Sequence, residues 1–189
     1  MSTRARRTAV GVAAVLLVVV VAGHVVTAVT QRLEFGGFYG NNPADGVSAL
    51  QAGDTTEVRY TYRPNGSFTF YTSIRNPGHW PVEVTDVSLP GWSGPGFGPR
   101  YVVEKLRYGY DSGNGALSDA YEPDRALPWK PVTVAPEAVL TLFVTVKIPD
   151  WEMAKGTSQN WEEITVRYRV LGLPQEQHVP IGFLLSVGA

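Results

Sequence analysis

Apolar residues follow two different rhythms in this chain. Over residues 55–189 they alternate with polar ones, and over residues 9–29 they run together without interruption. Alternation with period two marks a strand that buries one face, because successive side chains leave a sheet on opposite sides. Val58, Tyr60 and Tyr62 alternate with Arg59, Thr61 and Arg63, and Phe68, Phe70 and Ile74 with Thr69, Tyr71, Ser73 and Arg75. The same rhythm predicts strands at 81–89, 101–110, 131–134, 139–148, 163–171 and 178–187. In the longest of these runs Leu140, Leu142, Val144, Val146 and Ile148 share a face. Pro64-Asn65-Gly66 between the first two runs is a hairpin signal, and Asn76-Pro77-Gly78 is a second turn. No stretch of ten or more residues after position 30 carries a helical period. The expectation is an all-β fold, an antiparallel immunoglobulin-like β-sandwich of seven or eight strands over 55–189.

The uninterrupted run is of another kind. Residues 9–29 hold no acid, lysine or arginine, and His24 is the one strongly polar side chain. As a helix, 21 residues extend roughly 30 Å, the thickness of a bilayer's hydrocarbon core. Arg4, Arg6 and Arg7 precede the run and only Arg32 follows closely, which predicts N-terminus inside and C-terminus outside. A cleaved signal peptide has the same polarity, but its apolar core is shorter, so the length favours a retained anchor. Arg6-Arg7 also suggests twin-arginine export, against which the bland Thr8-Ala9-Val10 and the very hydrophobic core both weigh. The expected layout is a cytoplasmic stub at 1–8, a transmembrane signal-anchor at 9–29, a Gly- and Asn-rich stalk at 30–54 and the ectodomain at 55–189. The bilayer is then the first partner, and the location is the plasma membrane with the domain outside.

Charge and cysteine content narrow this further. After residue 30 the chain has 13 Lys and Arg against 17 Asp and Glu, a net charge of about −4. Nucleic acid is not an expected partner, because its binding faces show clustered basic charge. With no cysteine there is no disulfide, thiolate nucleophile, lipoprotein cysteine or Cys-ligated zinc.

The segment Ser73-Ile74-Arg75-Asn76-Pro77-Gly78 leads into Trp80-Pro81-Val82-Glu83-Val84, and Pro131-Val132-Thr133-Val134-Ala135-Pro136-Glu137 leads into Leu140-Thr141-Leu142-Phe143-Val144. This grammar of strands and turns resembles bacterial extracytoplasmic immunoglobulin-like and fibronectin-like modules, including membrane-anchored actinobacterial proteins of unassigned activity. The resemblance covers roughly 55–187 and implies a fold but no catalytic residues.

Candidate chemistry is sparse. His24, His79 and His178 have no spacing that aims two imidazoles at one metal. Asp111, Gly113, Gly115 and Ala116 occupy positions where a calcium loop needs oxygen ligands and a glycine, so 111–129 reads as a polar inter-strand loop. No nucleophile motif, phosphate loop or paired carboxylates are present, and no enzyme activity or cofactor is expected. One loop stands out: residues 89–99 mix Gly and Pro with Trp92 and Phe97 and carry no charge. A rigid loop presenting an aromatic resembles a partner-binding hot spot, although the same rings could instead plug one end of the sandwich. The function expected is a membrane-tethered, non-catalytic binding or assembly module of the cell envelope. The alternatives are a surface-held carrier of a small ligand or metal, and a secreted β-sandwich released by signal cleavage.

Overall fold

The computed structural model describes residues 17–20, 22–42, 47–52, 55–91, 101–110 and 126–189. The protein is mostly β, with two sheets around one core. The strands are β1 (Glu34–Asn41), β2 (Val47–Ala52), β3 (Thr55–Thr61), β4 (Ser67–Arg75), β5 (Val82–Ser88), β6 (Val102–Tyr110), β7 (Leu127–Pro128), β8 (Val132–Val134), β9 (Val139–Lys147), β10 (Ser158–Val170) and β11 (Leu173–Gly188). One sheet has the order β1-β4-β9-β6-β7 and the other β2-β3-β11-β10-β5-β8.

The expected faces point inward. Phe68, Phe70 and Ile74 of β4 and Leu140, Leu142, Val144 and Val146 of β9 line the first sheet. Ile164, Val166 and Tyr168 of β10 and Val179, Ile181 and Leu185 of β11 line the second. Rings join the layers: Tyr60 packs 4.3 Å from Phe68, and Phe183 stands edge-on to Phe70 at 5.9 Å. The Thr72 hydroxyl also crosses the core, donating to the Ile181 carbonyl at 3.2 Å. In β5 a register shift opposite Arg167 and Tyr168 turns Val87 to the same side as Val82 and Val84, which the odd spacing alone forbids.

Three expectations change. First, the Pro64-Asn65-Gly66 turn does not close a hairpin. Gly66 N–H donates to the Arg63 carbonyl at 2.9 Å and Asn65 has φ +60°, a β-turn with proline second and a left-handed residue third. The chain then passes from one sheet to the other, because β3 pairs with β2 and β11 while β4 pairs with β1 and β9. Second, the sheets are not wholly antiparallel: β3 runs parallel to β11, with Val58 opposite Leu185 and Tyr60 opposite Val187. Third, 30–54 is not a stalk. It supplies β1 to one sheet and β2 to the other. The aromatics there explain this: Tyr39 stacks on Phe183 at 5.4 Å, and Gly182 (φ +85°) has no Cβ where the Phe35 ring lies.

Strands β10 and β11 form the hairpin that pattern alone did not single out. Leu171 and Gly172 both have positive φ, +51° and +81°, as a two-residue type I′ turn requires. Leucine is a poor occupant of that position, and it is 51% exposed. Leu171→Asn is expected to raise stability by about 0.5–1 kcal/mol, since asparagine tolerates the left-handed region. A urea midpoint that does not rise would show that the turn is not strained.

Residues 17–20 and 22–30 are helical. No helix among the described residues is long and apolar enough to cross a membrane. Positions 9–16 and 21 of the expected anchor lie outside the described residues.

Candidate functional site

Two places gather polar groups. The first is where the helix meets the sheets. Asn76, at the end of β4, is fully buried and its side chain is saturated. Its Nδ2 donates to the carbonyls of Trp80 (2.8 Å) and Val134 (3.0 Å), and its Oδ1 accepts from Gln31 Nε2 (2.8 Å) and Gly78 N–H (3.1 Å). Gln31, the residue after the helix, also donates to the Trp80 carbonyl and accepts from Trp80 N–H. The Tyr168 hydroxyl donates to the Gln31 carbonyl at 3.0 Å. Gln177 clamps Leu33 through both its N–H and its carbonyl, at 2.9 and 2.8 Å. Ala28 and Leu33 are buried beside this network. His24, the anomaly of the apolar run, sets its ring 5.1 Å from Trp80 at 87°. The helix is therefore bolted to the two sheets by its last turn, with no flexible stalk between.

The second place is a cleft of about 530 Å³ beside the end of β5. Its apolar wall comes from Val87, Leu89 and Trp161. Trp161 is held by a bond from its Nε1 to the Pro90 carbonyl (3.2 Å), and the Tyr101 ring meets it edge-on at 4.8 Å. The Tyr101 hydroxyl and Gln159 Oε1 are buried and have no hydrogen-bond partner among the described residues. Orphan polar atoms of this kind are rare and ask for an explanation.

Charge gathers on the exposed part of the lining. The Arg167 guanidinium donates to Glu176 at 2.7 Å and to Asp86 at 3.0 Å, and these carboxylates, Glu176 first, hold its pKa above the ordinary value. His178 Nδ1 lies 3.0 Å from Glu163 Oε1. The Tyr101 hydroxyl titrates late: burial, with Tyr62 nearby, pushes its pKa up to about 12. It is thus a neutral donor at any physiological pH. Because the folded pKa lies above the unfolded one, its contribution to stability is intact below about pH 10 and is lost as pH rises toward 12. The Tyr101→Phe variant is expected to lose less stability than the parent between pH 10 and 12 in urea titrations. Equal losses would contradict the burial of the hydroxyl.

The two aromatics singled out in the sequence, Trp92 and Phe97, lie outside the described residues, as does most of 111–129. The cleft is lined by Gly91 and Tyr101, the described residues that flank that first loop in the chain. His79 is exposed in the turn before β5. Gln159, Trp161 and Tyr101 were not legible as a site, since each is ordinary for a strand or its entrance. The property that sets Tyr101 and Gln159 apart is a tertiary one, the lack of a partner for the Tyr101 hydroxyl and Gln159 Oε1 among the described residues.

No family model and no curated protein matches this chain. Among solved structures, the Vibrio cholerae VesB protease aligns at 12% identity with a TM-score of 0.32. The alignment covers 78% of this chain and 33% of that one, so this chain spans about a third of its length. A likeness of that size carries no argument about fold or activity.

Proposed function

We propose that this protein is a membrane-tethered, extracytoplasmic immunoglobulin-like domain that acts by binding, as part of the cell envelope, and not by catalysis. The observation that carries the tether is an uncovered apolar helix. Leu17, Val18, Val19 and Val20 are 53–67% exposed, and Val25, Val26 and Val29 are exposed further along. Water disfavours so much exposed apolar surface, and lipid removes the penalty. The two threonines of the helix suit that medium, because Thr27 and Thr30 donate their hydroxyls back to the carbonyls of Gly23 and Val26, both at 2.9 Å.

Support for the immunoglobulin-like class comes from strand order. The series β1-β4-β9-β6 and β5-β10-β11 reproduces the two sheets of a constant-type domain, A-B-E-D and C-F-G. The resemblance to actinobacterial envelope modules belongs to the same proposal, on the turn-and-strand motifs already given. The arginines at 4, 6 and 7 put the domain outside. On this reading, the short exit from the helix, docked through Gln31 and Asn76, supports a domain held close to the bilayer with that end toward it.

The test is extraction of intact membranes with alkaline carbonate. The full chain is expected in the pellet and a chain lacking residues 1–29 in the supernatant. Release of the full chain would sink the tether. Crosslinking at the domain surface in the same membranes is expected to give a discrete protein adduct, and its absence at every surface position tried counts against the assembly role.

A further inference from the structure

We infer that the tip of the β10–β11 hairpin, Leu171 to Leu173, is a second membrane contact, seated at the boundary between headgroups and acyl chains of the bilayer that takes the helix. The inference rests on the tethered reading and adds to it an orientation of the domain. Two attachments on one domain restrict its tilt and hold the opposite end of the sandwich away from the membrane.

Register places the tip at the end of the sandwich from which the helix emerges. Val170, the last residue of β10, pairs with Val82 of β5, so Leu171 and Gly172 project past the sheet at the end where Trp80 and Pro81 lead into β5. The root of the helix is at that same end. Gln31 bonds the backbone of Trp80 and accepts from the Tyr168 hydroxyl, and the His24 ring meets Trp80. Three strand residues carry the chain from Tyr168 to Leu171, roughly 10 Å, about as far as the helix runs from Gln31 back to His24. His24 lies inside the apolar run 9–29, so a bilayer that takes the whole run is within reach of the tip.

The chemistry of the tip suits lipid better than water. Leu171 and Leu173 are 51% and 37% exposed, and Pro174 is exposed beside them. No acid, lysine or arginine lies in 170–175 or in the turn 76–81. The nearest charges on these strands, Arg169 and Glu83, face each other one residue back and are bridged at 3.4 Å. The far end differs: its loops at 62–66 and 148–157 carry Arg63, Asp150, Glu152 and Lys155. One exposed leucine is ordinary on a protein surface, but here one of two stands at φ +51°, where asparagine or glycine is favoured. Water and backbone both disfavour leucine at that position, and lipid removes the first cost. The half-buried Trp80 suits the same depth, the level at which aromatic belts form.

The bilayer is favoured over a protein as the occupant of this surface. Another protein would have to be recruited to the tip, whereas a helix docked at the same end holds a bilayer against it at high effective concentration. The contact also requires no match of charge, because the residues of the tip are uncharged and the pair behind them is neutral as a whole. Each leucine that enters lipid adds buried apolar area to that of the helix, so the two contacts act together.

The experiment uses the full chain in phosphocholine nanodiscs, with leucine methyl groups isotopically labelled for magnetic resonance. Two paramagnetic agents are compared, a lipid carrying a nitroxide on its acyl chain and a chelate confined to water. Leu17 of the helix, 65% exposed, reports the tether. Leu50 of β2, 49% exposed, serves as an exposed leucine away from the bilayer. It lies opposite Glu57, which is level with Leu184, roughly 35 Å along β11 from Leu173. Leu17, Leu171 and Leu173 are expected to lose most of their methyl signal to the lipid nitroxide and to keep it in the chelate, and Leu50 to do the reverse. If Leu17 follows the lipid while either tip leucine loses its signal to the chelate, the inference is overturned and the tether stands. Tip methyls shielded from both agents would mean that protein covers them, which overturns it as well. Leu17 behaving like Leu50 would remove the tether and the inference together.

Discussion

Replacing Asn76 by alanine is expected to destabilise the protein by about 3–5 kcal/mol, with a lower urea midpoint and an unchanged slope. One amide joins four pieces of chain: the end of β4, the turn at 77–80, the carbonyl of Val134 at the end of β8, and Gln31 at the root of the helix. Each bond contributes about 1 kcal/mol net, but its loss leaves a buried carbonyl or N–H unsatisfied, and that desolvation cost dominates. Asn76→Asp sharpens the argument. It keeps the shape and both acceptor contacts, but it turns an oxygen toward the carbonyls of Trp80 and Val134. Burial and those carbonyls favour the protonated acid, so its folded pKa lies above the unfolded value of about 4. Its stability is then highest below that unfolded pKa and falls as pH rises through the folded one. The variant should be closer to the parent at pH 4 than at pH 7. Parent-like stability at pH 7 would refute the hydrogen-bond account.

The second large effect is expected from Phe70→Ala, at about 3–5 kcal/mol. Phe70 has no exposed surface. It bridges the layers, lying 6.4 Å from Phe68 within its own strand and meeting Phe183 of the opposite sheet. Its removal opens a cavity bounded by strands that are hydrogen-bonded on both sides and cannot collapse readily. Phe70→Leu retains most of the volume and should cost about 1.5 kcal/mol or less. Denaturation midpoints for the pair separate the cavity from the mere loss of a ring. A loss near 1 kcal/mol for alanine would mean that the layers close over the gap.

Much of the strand inventory was readable because one face of each strand is buried and period-two patterning follows. That argument held for β3 to β6, β8 and β9, and it placed β10 and β11 with shortened starts. It failed for β1 and β2, where glycines and scattered aromatics imitate a linker. Phe35 and Tyr39 acquire their purpose only when β11 passes beside them with Gly182 open to the ring. The cleft was less legible still. Tyr101 is far in sequence from Gln159 and Trp161 of β10, and nothing local marks an atom that will lack a partner after folding. Trp92 and Phe97, the residues that local composition did mark, fall outside what the structure describes.

Sequence by itself determined that this chain is mostly β and which faces of β3, β4, β9 and β10 turn to the core, because burial leaves a period in the pattern. It also determined that an apolar segment precedes the β domain, because composition alone decides hydrophobicity. Tertiary structure decided which strands meet. Asn65 turns the chain in either case, yet whether β3 pairs with β4 or is captured in parallel by β11 depends on what the rest of the sheet offers. It also decided that the helix root is bolted through Gln31 and Asn76. Hydrogen bonding between residues 45 apart obeys geometry that no local pattern records.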